Sequence, residues 1–158
     1  MGDLSVIRKA GYVAVLGFIV AVGVILTLQW NLVIGPVVLL LSTVPLAGLW
    51  LGRRSFLGAL PDLIFGVVDT GLLTVPALWG GIVFGVAGAI AGGGVGDALT
   101  DSIAGFFEGG VAEWLRERGI EASREAVTTS LGKMAGCLLG SGLVLTIALL
   151  FGIVPEFA

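Results

Sequence analysis

Asp69, Asp97, Asp101 and Glu108 interrupt long apolar runs of the chain, and these four carboxylates are the groups best placed to do chemistry. On an ideal helix Asp97, Asp101 and Glu108 fall within about 40° of one another, which makes one acidic stripe. Gly93, Thr100, Ala104 and Gly105 border it, so small and hydroxyl-bearing residues leave room for water or an ion. Asp69 lies beside Thr70 and Gly71, with no basic residue near it in sequence. Carboxylates with hydroxyl and carbonyl oxygens nearby are hard ligands, suited to Mg²⁺, Mn²⁺, Ca²⁺, Na⁺ or H⁺. The chain has no histidine and one cysteine, Cys137. That leaves no Cys/His zinc set, no Ser/His or Cys/His nucleophile and no intramolecular disulfide.

Composition says what surrounds these groups. Of 158 residues, 12% are charged and 57% hydrophobic, and the mean hydropathy is +1.12. Soluble domains carry roughly 25% charged residues because water must solvate their surface. Half that amount means most of this surface faces lipid, and the expected class is an all-α, polytopic membrane bundle. Only 8 Lys and Arg, with a net charge of −3, leave no basic face for nucleic acid.

The gaps between charges divide the chain. Residues 10 to 52 carry no charge, too long for one crossing of about 20 residues and right for two. Gln29-Trp30-Asn31 marks the turn between a first span, residues 11–29, and a second, 32–52. The first is longer than a signal-peptide core and lacks a small-residue cleavage pattern, so it reads as a retained anchor. A third span is expected over 61–79 and a fourth over 82–106, with Pro76 and Trp79-Gly80-Gly81 supplying the break. Gly109-Gly110 should end the fourth, a short cytoplasmic amphipathic helix should follow over 111–125, and a fifth span should cover 127–154. With the N-terminus inside, Arg8, Lys9, Arg53, Arg54, Arg116, Arg118 and Arg124 are all cytoplasmic and the C-terminus is outside. Trp30 and Trp79 then fall at outer turns, Trp50 and Trp114 at inner ends, as an aromatic belt requires. The alternative is four spans, with part of 56–78 re-entrant.

Gly88, Gly92 and Gly96, and again Gly132, Gly136 and Gly140, recur every fourth position. Small residues at that spacing let helices approach closely in lipid, so the fourth and fifth spans are the expected tight pair, within one chain or between subunits. Counting along the spans puts Asp69, Asp97, Asp101 and Lys133 at one depth, in the cytoplasmic half. Lys133 is then a tethered counter-charge, and the cluster stays negative even with it. In the purely structural alternative Lys133 pairs with Asp97 or Asp101 to fix register, while Asp62 and Glu108 sit solvated at the interface. Glu113, Glu117, Glu121 and Glu125 read as a solvated charged face.

The segment Gly93-x3-Asp97-x3-Asp101 resembles the second half of the motif of the CDP-alcohol phosphotransferases, membrane enzymes that use aspartates and a divalent metal to join a lipid nucleotide to an alcohol. In that family two aspartates, a glycine and an arginine precede this half at a fixed distance. Here Trp79 stands where the nearer aspartate is expected and Phe84 where the arginine is. The resemblance implies divalent-metal ligation by Asp97 and Asp101.

These residues lead to the expectation of a small cation transporter or channel. Asp69 and Asp97 are ligands or proton carriers, Asp101 and Glu108 an inner vestibule, and Thr100 a neutral oxygen. Five helices scarcely enclose a selective path, so a homo-oligomer is expected. A hard cation such as Mg²⁺ or Mn²⁺ is the bound species, and no enzymatic activity is expected. The alternatives are a membrane scaffold or accessory subunit and, third, a carboxylate- and metal-dependent lipid enzyme.

Overall fold

A computed structural model describes residues 2–119 and 125–153, all of it helix, turn and short connection, with no strand among the described residues. The helices are α1 (Gly2–Gln29), α2 (Ile34–Leu41), α3 (Thr43–Leu51), α4 (Phe56–Glu117) and α5 (Ala126–Leu150). Among the described residues, four stretches are long and apolar enough to cross a membrane, α2 and α3 together counting as one. Such helices are compatible with a membrane location.

The ends of the helices follow from single residues. At the end of α1, Asn31 adopts a left-handed φ of 50°, Leu32 N donates to Thr27 O and Asn31 N to Leu28 O. This Schellman closure suits asparagine, which tolerates that conformation. The end of α3 closes the same way around Arg53, with a φ of 51°. Between α2 and α3, Pro45 cannot donate to Leu41 O; the Ser42 and Thr43 hydroxyls donate to Leu39 O and Leu40 O, satisfying carbonyls at the joint.

The 62 residues of α4 are not one rod. Gly85 has φ 64° and ψ −151° inside it, a conformation open only to glycine, and there the chain doubles back. The two arms, residues 56–84 and 86–117, run antiparallel in close contact. A Cβ on Gly88 would overlap the carbonyl of Gly80, one on Gly92 that of Pro76, and one on Gly96 would meet Leu73 and Pro76. The reversal thus lies at Gly85, not at Trp79-Gly80-Gly81, and Pro76 stays within the helix.

The row Gly132, Gly136 and Gly140 also packs on the arm 56–84, against Ala59, Leu63 and Val67 in turn. That constant offset makes α5 parallel to this arm. The two glycine rows therefore do not face each other; the third segment lies against both. A different face of α5 meets α2, with Gly35 against Leu145 and Thr146, and Gly142 against Leu39. α5 touches each of the other helices, so it is the hub of the bundle. Buried positions are mostly glycine, alanine and hydroxyl residues, while Val, Ile, Leu, Phe and Trp side chains point outward, the reverse of a soluble core.

Two further expectations need correction. The second arm continues through Gly109 and Gly110 to Glu117, so no separate amphipathic helix begins at residue 111. Residues 120–124, which include Glu121 and Arg124, lie outside the described residues, as does the end of the expected fifth span beyond residue 153.

Candidate carboxylate site

The antiparallel pairing that sets Gly92 on Pro76 and Gly96 on Leu73 carries on to the next turn, and there it brings Asp69 opposite Thr100. The Thr100 hydroxyl donates to Asp69 Oδ1 at 2.6 Å, and Asp69 is 7% exposed. Asp97 and Asp101, one helical turn apart, flank Thr100. One carboxylate oxygen from each of Asp69, Asp97 and Asp101 lies within 4.8 Å of the others. Two arms of one hairpin thus supply three hard ligands, and the glycines enable it by letting the backbones meet.

Three oxygens this close could share one hard cation, whose ligand oxygens lie roughly 3 to 5 Å apart at the usual bond lengths. Among the described residues, no basic side chain lies within ion-pair distance of the three. Asp97 and Asp101 are exposed, on a flank of the second arm that no other described helix covers. The described residues do not enclose the site.

Lys133 is engaged elsewhere. Its ammonium lies 3.8 Å from Glu108 and 4.0 Å from the centre of the Phe65 ring, so it ties α5 to both arms two turns away from Asp101. Glu108, on the stripe in sequence, is divided from the aspartates by this pairing. Asp62 departs from expectation as well: it is 4% exposed and packs beside Gly132, so it is not a solvated interfacial residue.

Glu125 is the acidic residue whose place the sequence hid. It caps α5, accepting from Thr128 N at 3.1 Å and the Thr128 hydroxyl at 2.9 Å. Its other oxygen lies 3.2 Å from both Lys9 and Arg54. Burial pushes its pKa up, but the Thr128 hydroxyl and N–H, Lys9 and Arg54 outweigh this and hold it below the usual carboxylate value. One carboxylate joins α1, the connection after α3, and α5. The signal available was its position, an acid immediately before a long, mostly apolar helix.

No family model, curated protein or solved structure matches the chain. The functional reading therefore rests on residues and geometry. The resemblance to the phosphotransferase motif reaches no further than Gly93, Asp97 and Asp101, and the third carboxylate here comes from Asp69 on the preceding arm.

Proposed function

We propose that this is a small integral membrane protein that moves a hard cation or protons across the bilayer, with Asp69, Asp97 and Asp101 as the binding station and Thr100 as a neutral oxygen beside it. The observation that carries the reading is the convergence of the three carboxylates within 4.8 Å. In an apolar chain such a cluster is costly unless a cation or protons neutralise it. Mg²⁺, Mn²⁺, Ca²⁺ and Na⁺ are the candidate ions.

In this proposal α1, the α2–α3 pair, each arm of α4 and α5 cross the membrane, making five spans. Each arm, at 1.5 Å per residue, is roughly 40 to 50 Å long and exceeds a hydrocarbon core of about 30 Å. The N-terminus is cytoplasmic, since Arg8, Lys9, Arg53, Arg54, Arg116 and Arg118 then share the inner side. Asp97 and Asp101 are exposed on a single chain, and lipid is a poor neighbour for them. A second copy covering this flank would turn an open cluster into a lined path, which supports a homo-oligomer.

That same exposure favours a second reading, an accessory subunit whose acidic flank is a contact surface. Ion flux through purified protein in liposomes separates the two. Transport predicts flux above background for at least one of H⁺, Na⁺, Mg²⁺, Mn²⁺ or Ca²⁺, with a loss of about tenfold or more in Asp97→Asn. If wild type and Asp97→Asn share one background leak under all these gradients, the accessory reading stands.

A further inference from the structure

The end of the bundle opposite the Gly85 turn holds a cavity of about 420 Å³ lined by Ser5, Arg8, Lys9, Tyr12, Gly52, Arg54 and Val127. Three of these residues are cationic, and they come from separate places in the chain: Arg8 and Lys9 from α1, Arg54 from the connection after α3. The carboxylate that reaches them is Glu125, which lies 3.2 Å from Lys9 and from Arg54. Among the described residues, one negative charge stands against three positive ones here. Arg8 has no carboxylate partner among the described residues. Arg54 Nε is buried without a hydrogen-bond acceptor, although a buried donor normally has one. An unpartnered donor beside an excess of positive charge is a setting that an oxyanion would complete.

We propose that this cavity binds a phosphate group, with Arg8, Lys9 and Arg54 as its donors. Guanidinium groups match the geometry of phosphate oxygens, and Arg54 Nε–H supplies a fixed donor. The surroundings suit the headgroup of an anionic phospholipid. Val6, Ile7, Trp50 and Leu51 are all more than 60% exposed and adjoin the basic residues in sequence, so acyl chains have apolar flanks to lie on. Basic pockets between helices at the cytoplasmic face hold such headgroups in general. Free phosphate offers the same oxygens without the chains. The inference uses the membrane location of the helices and is independent of cation transport.

The test uses the full-length protein in detergent, with two arms. In the first, native mass spectrometry compares retention of phosphatidylglycerol and phosphatidylcholine; in the second, thermal unfolding is followed with inorganic phosphate or chloride at equal ionic strength and no added lipid. Arg8→Gln does not touch the Glu125 pairs, and Arg116→Gln, beside Glu113 and Glu117, removes an equal charge elsewhere. The expected result is preferential retention of phosphatidylglycerol, reduced about fivefold by Arg8→Gln and unchanged by Arg116→Gln. Stabilisation by phosphate that Arg8→Gln removes supports the site with a soluble ligand as its source. If Arg8→Gln behaves as wild type in both arms, or Arg116→Gln loses as much as Arg8→Gln, the proposal is overturned.

Discussion

Glu125 shows how much a single side chain organises here. With its pKa held below the ordinary carboxylate value, it binds protons less readily in the folded protein than in the unfolded chain. The stability it contributes is fully present above the unfolded value, about 4.3, and is lost as pH falls through the lower folded value. Unfolding midpoints measured in detergent from pH 7 to 3 should place Glu125→Gln below wild type at neutral pH and narrow the gap as the pH falls below the ordinary carboxylate value. A constant gap would contradict this. In the sequence Glu125 was hard to distinguish from Glu113, Glu117 and Glu121, because four-residue spacing describes a face only if one helix carries it. Glu117 ends α4 and Glu125 caps α5, so the two do not share one helix. Asp62 eluded the sequence for a related reason: burial depends on what lies opposite, and Gly132 is 70 residues away. The three aspartates were more legible, since an acid inside a long apolar run is conspicuous wherever the helix packs.

Among the elements, α5 holds the bundle through two glycine faces, one for α4 and one for α2. Gly136 lies against the carbonyl of Leu63 with no space for a Cβ, whereas a Cβ on Gly11 in α1 would meet nothing within 4 Å. Gly136→Leu should therefore destabilise by about 3 kcal/mol or more, through backbone separation and overpacking. Gly11→Leu should be neutral or slightly stabilising, because leucine is the better helix former. Thermal unfolding in one detergent compares the two, and equal effects would remove the claim that close approach at α5 holds the hairpin. Four-residue glycine spacing made the tight faces visible in the sequence but left their partners unassigned. A small-residue row fits any other helix whose backbone can come near. The reversal at Gly85 was hidden by abundance: Gly80, Gly81, Gly85 and Gly88 all lie near it, and only Gly85 has a positive φ. Pro76 misled because proline is tolerated within membrane helices when neighbouring groups satisfy the freed carbonyl.

At the scale of the molecule, the bundle separates a basic end from an acidic hairpin flank. Lys9, Arg54 and Glu125 gather at the first, while Asp97 and Asp101 lie open on the second. That division was legible in the sequence, because charges are scarce and the chain must keep them at its ends or give them a task. The proposed oligomer buries the second arm's flank against another copy. Ala98→Cys, in a Cys137→Ser background, should then form disulfide-linked dimers in native membranes under mild oxidation, while Val15→Cys on α1, also exposed, should not. Cross-linking at both positions or at neither would argue against a defined interface. The central claim is that the three converging carboxylates, rather than intramembrane acidity in general, carry the cation. Asp69 and Asp62 are both buried acids of the same arm, and only Asp69 belongs to the trio. Flux through proteoliposomes containing wild type, Asp69→Asn or Asp62→Asn tests this most directly. The account predicts a loss of about tenfold or more in Asp69→Asn with Asp62→Asn within about twofold of wild type; equal flux in Asp69→Asn and wild type would contradict it.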